Sequence, residues 1–160
     1  MKSKVMLTGL LLLLVFTSFS FKCDSGGGST PPDSPWRPAA KAADDLAGGI
    51  NTMIKVKREL AQKGSITPAE ERALTNALLK ANTADKLFVK QVKAVKNATD
   101  ASASKPNVCT LFAAVTSALS DLNNTGVLPI ADAGAKAKLT TLLNTLNASA
   151  AIIASTVQCS

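Results

Sequence analysis

The densest run of oxygen-bearing side chains is Asp121-Leu122-Asn123-Asn124-Thr125-Gly126, followed by Leu128, Pro129 and Asp132. Counted from Asp121, oxygen ligands stand at positions one, three, five and twelve, and a glycine at six permits a sharp turn. That spacing suits a hard divalent cation such as Ca²⁺, which gathers carboxylate, amide and hydroxyl oxygens, so Asp121, Asn123, Thr125 and Asp132 are the candidate metal ligands. With only two carboxylates the expected affinity is weak, and a glycine-terminated helix running into a polar loop accounts for the same residues. A second pattern is the lysine row Lys86, Lys90, Lys93 and Lys96, whose helical spacing makes a cationic surface with Asp85 and Asp100 flanking it. Asp44-Asp45 and Glu70-Glu71 are adjacent carboxylates, but neighbouring helical residues point about 100° apart and cannot share a substrate as an acid and base pair. They are expected near helix starts, where negative charge is favourable. The chain has no His and no Tyr, which excludes imidazole-based nucleophile and metal chemistry and tyrosine acid-base roles. No catalytic residues and no cofactor are expected.

The segment 121–132 resembles an EF-hand calcium loop, with Asp in place of the longer Glu at the last position. The amino terminus carries an address: Met1-Lys2-Ser3-Lys4 is a short positive region and Val5 to Phe21 an apolar run with small residues at Ser18 and Ser20. This is the pattern of a secretory signal peptide, here 1–22, and a tether rich in Gly, Ser and Pro follows over 23–36. Cys23 ahead of Asp24-Ser25-Gly26-Gly27-Gly28 resembles the start of a bacterial lipoprotein, which implies lipidation at Cys23. Lys22, however, stands where such lipoproteins carry a small residue. Lipidated and freely secreted forms both remain open. Export implies an oxidising compartment, so of three cysteines Cys109 and Cys159 are expected to pair, with two buried thiols as the alternative.

Formal charge is +7, from 18 basic and 11 acidic residues. Removing Lys2, Lys4 and Lys22 leaves 15 against 11, only +4, and most of the charge lies before Pro106. Aromatic residues are one Trp and five Phe, too few for a stacking platform, and no nucleic-acid partner is expected of an exported chain.

These residues must be positioned by helices. From Arg37 to Lys63, Ala43, Leu46, Ile50, Met53 and Leu60 recur at helical steps, and Gly64 ends the segment. Gly48-Gly49 suggests a bend or a close helix contact. Thr67, Pro68 and Glu70 form a capping box that starts a second helix running to about Ala98. Its stripe is Leu74, Ala77, Leu78, Ala81, Ala84, Phe88, Val92 and Val95. A third helix opens at Pro106, buries Val108, Leu111, Phe112, Val115, Leu119 and Leu122, and ends at Asn124-Thr125-Gly126. The fourth carries Leu139, Leu142, Leu143, Leu146, Ile153 and Val157. Apolar positions of the first two helices can be laid over those of the last two, as a duplicated hairpin would give. No strand-like alternation of useful length occurs.

The expectation is an all-α, up-and-down four-helix bundle over 37–160. Trp36 is expected to pack across the bundle end. Functionally the pattern predicts an exported, non-catalytic binding or structural module of the cell envelope. Its partner is an unidentified protein or envelope component, with a membrane reached through a lipid anchor at Cys23. A weak calcium-binding helix-loop-helix protein and an amphipathic binder of lipid or apolar ligands are the alternatives.

Overall fold

The computed structural model describes residues 36–96 and 105–159. The signal segment, Cys23, tether residues 23–35, Asp100 and the connection 97–104 lie outside them. Helix α1 spans Trp36–Gln62, α2 Pro68–Lys96, α3 Lys105–Asp121 and α4 Ala133–Val157, and a π-helical turn, Leu122–Val127, extends α3.

Each visible end has a local cause. Gly64, at φ +68°, reverses the chain after α1; its N–H donates to the Ala61 carbonyl (3.0 Å) and the Ser65 N–H to that of Leu60 (2.9 Å). These two bonds satisfy the last helical carbonyls, and the left-handed backbone they need favours glycine. At the start of α2 the capping box forms as expected. The Thr67 N–H donates to Glu70 Oε2 (2.6 Å) and the Glu70 N–H to Thr67 Oγ1 (3.3 Å). Asp132 caps α4, its Oδ1 accepting from the Ala135 N–H at 2.6 Å.

Cross-helix pairs run in opposite order along neighbouring helices: Asp44 with Lys93 and Lys57 with Thr75, then Lys80 with Asp121 and Phe88 with Phe112. Lys138 with Glu59 and Leu146 against Gly49 set α4 antiparallel to α1 in the same way. The fold is therefore an up-and-down four-helix bundle. α1 lies along both α2 and α4, α2 along α1 and α3, and α3 meets α4 over a shorter seam. Every expected stripe residue is buried except Ala84, Leu111 and Leu142, which are half-buried. Phe88 and Phe112 meet at 5.6 Å between ring centroids, tilted by 44°, and join α2 to α3.

Three expectations are corrected. Trp36 belongs to α1 and to the core rather than to the tether, because its ring is buried against the bundle. Asp44 and Asp45 lie in the third turn of α1, away from its start; they answer Lys93 and Lys41, each at 2.8 Å. The third helix does not stop at Gly126, which has no positive φ. Instead the backbone widens into the π-helical turn, closed by the Leu128 N–H on the Asn123 carbonyl at 2.9 Å. A Cβ on Gly126 would lie 3.1 Å from Leu74 Cδ1 and 3.4 Å from Ala77 Cβ, so the missing side chain lets this turn approach α2.

Gly48-Gly49 makes the close contact and leaves α1 unbroken. A Cβ on Gly49 would run into the Leu146 side chain of α4, whereas one on Gly48 would meet nothing within 4 Å. Gly48→Ala is thus expected to stabilise the protein by about 1 kcal/mol through helix propensity. Gly49→Ala is expected to destabilise it by about 1–2 kcal/mol, since overpacking outweighs that gain. Urea unfolding of the two variants checks the opposite signs.

Candidate functional site

The four expected metal ligands do not converge. Asp121, at the end of α3, faces Lys80 of α2, with Nζ 3.4 Å from Oδ2. Asn123 donates through Nδ2 to Asn124 Oδ1 at 3.1 Å, and Thr125 donates through Oγ1 to the Asp121 carbonyl at 2.8 Å. Asp132 serves as the cap of α4. The expected calcium loop is corrected to a helical turn followed by a cap, because burying Leu122, Gly126 and Val127 against the core holds this backbone in helix. Among the described residues no three His, Cys, Asp or Glu side chains come together as a metal site requires. Asp132→Ala is accordingly expected to cost about 1 kcal/mol as a lost cap. Its denaturation midpoint, measured with and without Ca²⁺, should fall by the same amount in both.

The lysine row is exposed along α2, but it is not uniform. Lys93 is paired with Asp44. Lys93 and Lys96 also line a cleft of about 410 Å³ with Arg37, Lys41, Asp44 and Asp45 of α1. Lys86 and Lys90 continue the cationic surface along the helix.

Asp85 is the largest departure from the sequence reading. Expected to flank the lysines in solvent, it is 1 % exposed and lies on the core stripe four residues after Ala81 and three before Phe88. Its Oδ1 has no hydrogen-bond partner among the described residues. Burial, aided by the negative charge of Asp44, pushes its carboxyl up to about 6. Phase alone could have located it, since positions 81, 85, 88 and 92 share one helical face.

A second unforeseen feature is an apolar groove of about 600 Å³ between α2 and α3. Leu79 and Leu87, 61 % and 53 % exposed, line it along α2, with the smaller Ala84, Ala114, Ser117 and Ala118 also in its wall. Lys80 and Asp121, an exposed ion pair, are its charged members. The signal available in the sequence is that Leu79 and Leu87 fall off the core stripe of α2 by phase and must find other cover or stay wet.

Glu70 links the two hairpins. Besides its role in the α2 capping box, it accepts from the Ala131 N–H through Oε1 at 2.7 Å. Hydrogen bonds from the Thr67 backbone first, then from Ala131 and the Thr67 side chain, hold its carboxyl below the usual range. Lys57, largely buried, donates to Thr75 Oγ1 at 2.9 Å and lies 3.5 Å from Glu71, a polar strut between α1 and α2.

The predicted pairing of cysteines is present: Cys109 in α3 and Cys159 just beyond α4 are joined, with their Cα atoms 5.4 Å apart. Gln158 ends α4 in the left-handed region, φ 52°, and the chain then reaches Cys159. No protein-family model matches the chain, and no curated protein or solved structure matches it either.

Proposed function

We propose that this protein is an exported, non-catalytic module of the cell envelope that works by binding another protein through the α2–α3 groove. The observation that carries the export reading is the Cys109–Cys159 bridge, in a chain whose first residues combine a positive start with an apolar run. Disulfides persist in oxidising compartments and are rare in reducing ones. The groove supports the binding reading. Two leucines kept in water cost stability, and burying them under one apolar face of a partner helix would recover it.

Intact mass of the protein from its own host, before and after reduction, tests export. A chain beginning at Cys23 with added acyl groups, or at Phe21 without them, supports it, with a gain of about two daltons on reduction as two thiols form. A chain retaining Met1, with all its thiols free, would overturn it. For the groove, a photo-crosslinking residue at position 87 in living cells should yield a discrete adduct that Leu79→Asp abolishes. An adduct indifferent to Leu79→Asp would place the contact elsewhere.

A further inference from the structure

The antiparallel order of the helices brings the start of α1, the end of α2, the start of α3 and the end of α4 to one end of the bundle. That end gathers Arg37 and Lys41 from α1, Lys90, Lys93 and Lys96 from α2, and Lys105 from α3. Opposing them are Asp44 and Asp45, each already paired with a lysine of the same group, and by sequence Asp100 of the connection between Lys96 and Lys105, outside the described residues. Asp85 stands one to two turns before Lys90 but is buried, so it does not offset the surface charge. The last three turns of α4 contain no charged residue. The opposite end is mixed: Arg58, Lys63, Arg72, Lys136 and Lys138 stand among Glu59, Glu70, Glu71 and Asp132.

The same basic end is where the preceding 35 residues join the fold, because α1 begins at Trp36. Those residues include the apolar run Val5 to Phe21 and Cys23. We propose that this end of the bundle, where the chain bearing the apolar run and Cys23 enters the fold, docks on an anionic bilayer with its lysines facing lipid phosphates. The inference rests on the export reading above and names the surface the module is held against. Lysines near an anionic surface each contribute about a fivefold gain in partitioning, an effect screened by salt. Charge complementarity therefore selects lipid phosphate, and the place where the chain enters selects the bilayer over a soluble anion.

The test uses the mature protein and vesicles of phosphatidylcholine alone or with about 30 mol% phosphatidylglycerol, at about 0.1 M salt. The quantity read is the ratio of the two partition coefficients, which cancels any acyl anchor common to both. Lys90→Gln, Lys96→Gln and Lys105→Gln combined should lower that ratio by about a hundredfold. Lys55→Gln, Lys63→Gln and Lys136→Gln combined remove the same charge away from that end and should lower it far less. Wild-type protein, which needs no variant to fold, should lose its preference for the anionic vesicles near 1 M salt, where the screening length is about 3 Å. An equal fall in both triple variants, no fall in the first, or no anionic preference in the wild type would each overturn the proposal. Failure of export would be seen separately, as a retained Met1 together with free thiols in the intact mass.

Discussion

Asp85→Asn is expected to raise the melting temperature at pH 7.5 by about 5–10 °C, corresponding to roughly 1–3 kcal/mol, and to change it little at pH 4. The reason is a carboxyl on the apolar stripe of α2, 1 % exposed, with Oδ1 unpartnered among the described residues. Its ordinary value of 3.8 is raised to about 6 by burial first and by Asp44 second. Between those values the folded protein holds a proton that the unfolded chain has released, so stability falls as pH rises. The contribution is fully present below about pH 4 and is lost as pH passes through 6, a difference on the order of 3 kcal/mol.

Asparagine cannot ionise, so the slope between pH 4 and 6 should flatten in the variant. Thermal melts across that range would sink the reading if Asp85→Asn were equally destabilised at every pH. Glu70 acts in the opposite sense. Its carboxyl is lowered from 4.5 by hydrogen bonds, so its contribution is present above that value and is lost as pH falls through the folded one. Between about pH 4.5 and 6 the two together predict stability that falls as pH rises, because the contribution of Glu70 is lost only below that window while that of Asp85 is lost within it.

Removing the Cys109–Cys159 bridge is expected to be the most damaging change outside the core. The cysteines are separated by 50 residues, and freeing a loop of that length costs about 4 kcal/mol in the chain-entropy account, or roughly 10–20 °C. The location makes the loss specific. α3 and α4 share the shortest seam among neighbouring helices, and the bridge holds that seam at one end. In Cys109→Ser/Cys159→Ser, hydrogen exchange should accelerate first in the opening turns of α3 and the closing turns of α4. A loss below about 1 kcal/mol by urea unfolding would mean that packing alone closes the bundle.

The number, type and phase of the helices were legible in the sequence because each depends on local signals. Apolar residues recur at three and four residue steps, Gly64 supplies the left-handed reversal after α1, and Thr67 with Glu70 supplies the cap of α2. The cysteine pairing followed from antiparallel connectivity and chain economy, which place Cys109 and Cys159 at the same end. Asp85 was legible by phase, yet its type argued for solvent. Only the packed neighbours of α2 decide that position 85 is closed to water.

Elsewhere the tertiary structure overruled local chemistry. Asp121 to Asp132 has the oxygen spacing of a cation loop, but Leu122, Gly126 and Val127 gain more by packing on α2 than a loop would allow, and the backbone stays helical. Gly49 and Gly126 give up their side chains to let helices approach, a requirement set by Leu146 and Leu74 on other helices. The α2–α3 groove exists because small residues line it between two long helices, a property of the pair and of neither helix alone. The sequence by itself determined that four amphipathic helices would form, where α1 ends and where α2 begins, because hydrogen bonds and apolar periodicity act over a few residues. The tertiary structure alone decided which polar groups are buried, which glycines touch another helix and which charges share one end, because burial and electrostatic fields depend on neighbours distant in the chain.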